Sequence, residues 1–500
     1  MAPSAVLSGP VIEGKRALMG EKPETSSPKR TRFSPRVKKN GLTTPTSPGS
    51  VQQADALVSL LYSTSLTTKI WGVAEQGMPS LTPPTLFPEY TMPGGTKYVY
   101  RELDFWTSGF FPGCLYLLLE RRQKYAHRLS QLRSGDDAGD EPHRLHLEFA
   151  CKWWTETLHA NAKLTYTHDL GFMISPWASL AWDMHRDARA YQTMLTAASS
   201  LYNRYDENVG CIKSWDFCIT KRYSFTKPED GFLVIIDNMM NLDLIFWAAK
   251  ELGDQKMHAA AKKHAETTRA YHINPEDNST CHVVIFEPDT GAFRARITNQ
   301  GFSDTSAWTR GQAWAIAGFA QTYDWTRDVS FLETAMACAD FFLRELLASK
   351  IPPWDFRAPE EPGKTKPTDT SAGVVAAYGM LLIHEALLGL GREDARNWLD
   401  EALDIVRAIG MKHTNGPGTY RKKQRSVQTV EHGEVVTDVG LEVDMGDECE
   451  TILNGATINN YEFAPRRWAN HGLVYADYYF LLFGNKLLEM GLDARLAGLV

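Results

Sequence analysis

Cysteine is scarce in this chain: seven in 500 residues, an odd number, with no two spaced as CxxC. That rules out a dense disulfide framework and a paired-thiolate zinc site, and fits free thiols in a reducing compartment. Also missing are GxSxG, the Walker loop, GxGxxG and HExxH, so serine-hydrolase, nucleotide, dinucleotide and zinc-protease chemistries lack their signatures. The N-terminus has no basic-then-apolar leader and no apolar run nears the ~18 residues of a membrane span. The expectation is therefore a cytoplasmic protein without a membrane segment, whose Asn278-Ser279-Thr280 sequon never meets the glycosylation machinery.

Positive charge is short everywhere except at the start. Residues 1–50 hold nine Lys/Arg against three Glu, which leaves about −13 of the overall −7 on the remainder. An acidic body excludes a nucleic-acid groove in the globular part. Residues 1–50, with seven prolines and little apolar periodicity, read as a disordered basic tail. Its segment PKRTRFSPRVKK (28–39) is a solvated patch or a nuclear address.

What the rest of the chain has is apolar and aromatic mass, 14 tryptophans included. Helical periods recur near 51–62, 102–122, 143–160, 176–203, 235–252, 256–272, 308–324, 329–348, 371–390, 394–410 and 467–490. More apolar segments alternate with amphipathic ones, as expected of helical hairpins set in an inner and an outer ring, and residues 51–500 read as one all-α catalytic domain. The β signal that stands out is HVVIFEP (282–288), Asp289-Thr290-Gly291 and AFRARI (292–297), a hairpin. Polar stretches at 134–143, 356–368 and 414–450 read as loop insertions, and Asp444, Asp447, Glu448 and Glu450 read as a solvated acidic loop lacking the calcium-loop pattern.

Asp237 follows directly on Val234, Ile235 and Ile236 at the head of an apolar segment. It is either an N-cap or, one helical turn from Asn241, part of a polar face looking at a partner. Apolar neighbours disfavour its charged form, so its pKa is expected to rise and make it a proton donor near neutrality. Asp169, between His168 and Gly171 in THDLGF, reads as lying in a loop that follows a helix, either a turn or cap residue or a second carboxylate, and two carboxylates on separate elements suit glycoside chemistry. His282 heads the hairpin, and Gln300-Gly301-Phe302 follows it. Arg310 and Trp314 sit at i and i+4 on one helix, a guanidinium and an indole suited to a carboxylate-bearing ring. Trp106, in DFWTSGFFPG (104–113), is either core or a sugar platform.

The ordered series DFWTSGFFPG, THDLGF, IDNMMNLDLIFWA (236–248), HVVIFEPDTG (282–291), NQGFSDTSAWTRGQAWAI (299–316), DTSAGVVAAYG (369–379) and YADYYFLL (475–482) resembles the unsaturated glucuronyl hydrolases, glycoside hydrolase family 88, over about residues 85–485. The resemblance implies an (α/α)6 barrel without metal or organic cofactor. It also implies release of a Δ4,5-unsaturated uronic acid from oligosaccharides made by polysaccharide lyases, by hydration of the C4=C5 vinyl ether. Asp237 matches the family's general acid/base and Asp169 its second essential carboxylate. His168, His282, Gln300, Arg310 and Trp314 match substrate-binding positions, and Trp106 resembles the stacking tryptophan. Inserts near 134–143, 206–230 and 414–450 depart from a minimal member, so the leaving sugar does not transfer, and the oligomeric state is left open. The rival expectations are an unsaturated rhamnogalacturonyl hydrolase and a catalytically silent carbohydrate-binding protein.

Overall fold

The computed structural model describes residues 56–132, 141–428, 435–446 and 448–496; the basic tail, and Asp447 of the acidic loop, fall outside them. Among the described residues twelve long helices dominate. They are α1 (Thr64–Gly77), α2 (Phe110–Lys124), α3 (Arg144–Thr155), α4 (Leu170–His185), α5 (Ala188–Tyr202), α6 (Asn238–Leu252), α7 (Gln255–His272), α8 (Thr309–Thr326), α9 (Val329–Glu345), α10 (Thr370–Leu390), α11 (Trp398–His413) and α12 (Val474–Met490). Helices α2, α4, α6, α8, α10 and α12 touch in that order and α12 closes back on α2, which makes the inner ring of an (α/α)6 barrel.

Burial follows position in the rings. Helix α8 is buried from Thr309 to Ala320 without a break, as expected of a helix with neighbours on every side, whereas outer α11 buries only a stripe through Trp398, Leu399, Ala402, Ile405, Val406 and Ile409. This corrects the expectation that no segment is apolar enough to span a membrane: α10 is long and apolar enough by length and composition. Its apolar character faces other helices of the ring rather than lipid, with Val374, Val375, Ala376, Ala377, Met380 and Leu381 fully buried.

The turn from inner to outer helix repeats one device. Helices α4, α6, α8 and α10 end on a left-handed residue: Arg186 (φ 54°), Gly253 (φ 67°), Arg327 (φ 55°) and Gly391 (φ 61°). After the first three an aspartate follows at once and caps the outer helix; Asp187 accepts from the amides of Arg189 and Ala190, Asp254 from Lys256 and Met257, and Asp328 from Ser330. The span 176–203, expected as one helix, is therefore two. An Arg-Asp pair with no glycine or proline makes the turn, so no breaker residue marks it.

Three further expectations change. Val234 and Ile235 belong to a strand: β3 (Phe232–Ile235) pairs with β4 (Val283–Phe286), which pairs with β5 (Phe293–Ile297), so the hairpin gains a third strand. Strands β1 (Leu86–Thr91) and β2 (Tyr98–Glu102) precede α2, which starts only at Phe110. The polar stretch 414–450 contains β6 (Thr419–Gln428) paired with β7 (Val435–Asp444) over ten residues each. Two of its acidic side chains have protein partners, Asp444 with Arg421, and Glu450 with Lys97 at 3.2 Å and the Tyr98 amide at 2.8 Å.

Candidate active site

The chain enters every inner helix at the same end of the barrel, and five of the eight expected site residues lie at those entries. Trp106 precedes α2, His168 and Asp169 precede α4, Asp237 precedes α6, Arg310 lies in the first turn of α8, and Tyr475 in that of α12. Contacts across the ring tie these entries together: Trp106 meets Phe172 at 5.5 Å and Tyr475 at 5.1 Å between ring centroids, and Arg310 bonds Asp369, the residue before α10. Six helix N-termini thus bring their positive dipole ends towards one place, a field that favours an anion.

At its centre His168, with no exposed surface, lies between two carboxylates. Its Nε2 is 3.2 Å from Asp169 Oδ1 and 3.5 Å from Asp237 Oδ1, charge contacts that are off line for hydrogen bonds. The carboxylates keep 13% and 15% of their side chains exposed, enough to face a ligand. Asp237 and Asp169 occupy the N-cap positions of α6 and α4, yet neither side chain caps its helix. Asp237 Oδ1 has no hydrogen-bond partner among the described residues, so the capping alternative for Asp237 falls. Its companion Asn241 instead accepts from the Phe172 amide at 3.2 Å, tying α6 to the first turn of α4.

The two acids separate electrostatically. Burial is the largest influence on Asp237 and, with Asp169, outweighs the pull of His168 and Arg310, so its pKa is pushed up to about 6. Burial also acts most strongly on Asp169, but there His168, the Thr167 hydroxyl at 2.6 Å and Arg204 win and hold it below the usual carboxylate range. Burial opposes a charge on His168, and the two carboxylates overcome it and raise its pKa. One acid that keeps its proton beside one that gives it up is a division of labour suited to general-acid catalysis.

His282 supplies a donor. Its Nδ1 accepts from the Asn299 amide at 3.0 Å, and burial, with Arg310 and His272, pushes its pKa down to about 3. The ring is therefore neutral with its proton on Nε2, and that buried N–H has no partner among the described residues.

Arg310 departs from the expected direct clamp on a uronate. Its Nη1 donates to Asp369 Oδ2 at 2.7 Å and to Thr457 O at 2.8 Å, and its Nη2 to Gln300 Oε1 at 2.7 Å and Ile458 O at 2.8 Å. Flanked by the rings of Trp308 at 4.7 Å and Tyr475 at 5.5 Å, the guanidinium has both terminal nitrogens engaged by the protein and orients Gln300. Trp314 also departs from expectation. One helical turn below Arg310 it lies inside the barrel, 1% exposed and packed on Phe172 and Tyr479, so it offers no open face to a sugar. Trp106 is only partly buried and rests on that layer through Phe172.

Asp369, Trp308 and Tyr475 are the site residues that sequence reasoning missed. A signal existed for the first: Asp-Thr-Ser ahead of an apolar run is an N-cap pattern, and Asp369 does accept from the Ser371 and Ala372 amides while also holding Arg310.

Gly171 explains part of THDLGF. A Cβ there would lie 2.8 Å from Asn241 Cα, so α4 and α6 approach closely because no side chain intervenes. Gly171→Ala is expected to cost about 1–3 kcal/mol through overpacking, read as a lower urea midpoint. It should also reduce kcat/KM by shifting Asp169 against Asp237; an unchanged midpoint would show that the two helices can part freely.

No family model matches the chain. It is 32% identical over 316 residues to an unsaturated glucuronyl hydrolase of Bacillus sp. (strain GL1), covering 63% of this chain and 76% of that one. It is 33% identical over 321 residues to an unsaturated glucuronyl hydrolase of Formosa agariphila, covering 62% and 71%. Among solved structures, that of an unsaturated glucuronyl hydrolase specific for heparin matches with a TM-score of 0.66 at 26% identity, covering 89% of this chain and 98% of that one.

Proposed function

The chain belongs to the unsaturated glucuronyl hydrolases and is a glycosidase, and from that premise we propose that it removes a Δ4,5-unsaturated uronic acid from the non-reducing end of lyase-generated oligosaccharides, with Asp237 as the acid. The observation that carries the assignment is the placement of His168 Nε2 between Asp169 and Asp237, 3.2 and 3.5 Å away. The histidine holds Asp169 charged, while burial and the neighbouring Asp169 charge raise the pKa of Asp237 to about 6 against the pull of His168.

Asp237 donates its proton to C4 of the vinyl ether, and the positive charge that develops on C5 and the ring oxygen is met by anionic Asp169. Water adds at C5 and gives its proton to the Asp237 carboxylate, which restores the acid. The hemiketal then loses its hydroxyl proton as C5=O forms and the bond from C5 to the ring oxygen breaks. The hemiacetal so exposed at C1 collapses and releases the partner sugar, with one water consumed in total. The neutral His282 Nε2–H and Gln300, held by Arg310, are donors suited to the uronate carboxylate, in the field of the helix N-termini.

A panel of lyase-generated unsaturated disaccharides, followed by loss of the ultraviolet absorbance of the conjugated double bond, tests this reading. Turnover of glucuronyl-hexosamine disaccharides is expected. Turnover confined to an unsaturated galacturonyl-rhamnose disaccharide would assign the chain to the rhamnogalacturonyl type, and no turnover of any would leave a binding protein.

A further inference from the structure

Residues 206–230, which the sequence alone sets apart as an insertion, contain a short stretch, 212–216, tied to the catalytic end on both sides. The Ile212 amide donates to His264 Nδ1 on α7 at 2.9 Å, and Ile212 O accepts from Asn238 Nδ2 at the start of α6 at 3.1 Å. The Lys213 amide donates to Arg204 O, and Lys213 O accepts from Arg204 Nε, both at 2.9 Å. Trp215 forms a β-bridge with Thr167. The stretch is wedged between the loop that carries His168 and Asp169 and the strand β3 that leads to Asp237.

Ser214, fully buried, touches both. Its amide donates to Leu233 O at 2.9 Å, its hydroxyl accepts from the Ile235 amide at 3.0 Å, and its carbonyl accepts from the His168 amide at 2.9 Å. A regular parallel bridge would send the Ile235 N–H to the Ser214 carbonyl. That oxygen is already taken, by His168 and by Arg204 Nη2 at 3.3 Å, which fill its two lone pairs. The hydroxyl accepts the Ile235 bond in its place.

From this geometry, and on the hydrolase reading, we infer that Ser214 is a positioning residue. It sets the separation of the two working carboxylates by holding His168, next to Asp169, and Ile235, two residues before Asp237. It touches no substrate and acts through the backbone of its neighbours. Alanine in its place leaves one oxygen for the amides of both His168 and Ile235, residues that are fully buried, and a buried amide without an acceptor is costly. Whichever amide loses, its segment must shift to find a partner, and the contacts of His168 Nε2 with Asp169 at 3.2 Å and Asp237 at 3.5 Å no longer coincide. Asp237 is faced by His168 and Asp169 before α4 and by Arg310 on α8, and the pull of His168 on its pKa outranks the push of Asp169. Retreat of that pair therefore moves the alkaline limb of kcat/KM upward from about 6.

The test compares three variants of the full chain on an unsaturated glucuronyl-hexosamine disaccharide: Ser214→Ala, Ser214→Thr, which keeps the hydroxyl, and Thr155→Ala, which removes a buried hydroxyl from outer helix α3. Ser214→Ala is expected to lower kcat by about tenfold or more, as misplaced reacting groups do, and to raise the alkaline limb. Its KM stays within about twofold, because the donors His282 and Gln300 are not held by Ser214. Ser214→Thr restores kcat and the limb, and Thr155→Ala lowers the thermal midpoint while leaving both alone. Should Ser214→Ala fail to fold, Ser214→Cys, whose thiol is a weak acceptor, takes its place in the comparison. Unchanged kcat and limb at whatever midpoint, a loss that Ser214→Thr does not repair, or an equal loss in Thr155→Ala overturns the positioning role. Any of these leaves the hydrolase reading intact, since that rests on turnover by the wild type.

Discussion

Asp237→Asn lowers kcat by about 10²–10⁴, the range for a lost general acid, while KM for the unsaturated disaccharide stays within a few-fold. The amide keeps the shape of the carboxyl and its place beside His168 but has no acidic proton to give C4. In the wild type the protonated form is the working form. With the Asp237 pKa pushed up to about 6, kcat/KM falls as pH rises past that value, and the acid limb, set by Asp169, lies below the ordinary carboxylate value of 3.8. The same shift carries a stability signature of opposite sense. The fold binds the Asp237 proton more tightly than the unfolded chain does, so the stability this group contributes is fully present below its ordinary value of 3.8 and is lost as pH rises through about 6. At pH 8 Asp237→Asn is therefore expected to be more stable than wild type by on the order of 3 kcal/mol, read from urea midpoints, and to show no such advantage at pH 4. A variant that kept wild-type turnover would take the acid role from Asp237, and one less stable at pH 8 would show that its charge is welcome in the fold.

Arg310→Ala is expected to act first on the fold. Removing the guanidinium leaves Asp369, fully buried, without its ionic partner and strands the carbonyls of Thr457 and Ile458. Breaking a buried pair from one side costs about 3–5 kcal/mol, which denaturant unfolding will register. The paired change Arg310→Met with Asp369→Asn should recover part of that loss, because the stranded charge is gone, while KM remains high because Gln300 is no longer held. If Arg310→Ala instead kept its unfolding midpoint and raised only KM, the guanidinium would be reading the uronate directly, as the sequence alone suggested.

What the sequence made legible follows from locality. Asp237 stands out because a carboxylate after three branched apolar residues is conspicuous without any knowledge of the fold. The ring of inner helices is legible because full enclosure makes a helix apolar all round, as in α10. The turn at Arg186-Asp187 was not, since a left-handed arginine leaves no mark in composition. Nor was the β6–β7 pair, whose TYRKKQRSVQ strand has no apolar alternation. The ion pair of Arg310 with Asp369 joins residues 59 apart, and only the closed ring brings α8 and α10 together. That long-range pairing is why a residue legible as a ligand contact has its terminal nitrogens held by protein partners. Trp314 misled for a similar reason: helical spacing gives the face on which it lies, while depth along the barrel decides whether that face is open.

The short turns at Arg186-Asp187, Gly253-Asp254 and Arg327-Asp328 lie at the end of the barrel opposite the helix entries. The candidate catalytic residues Asp169 and Asp237 lie at the other pole, before α4 and α6. Immobilisation on a bead, or fusion to a cargo spliced in at Arg327, whose side chain is two-thirds exposed, would therefore leave the mouth of the barrel facing away from the support.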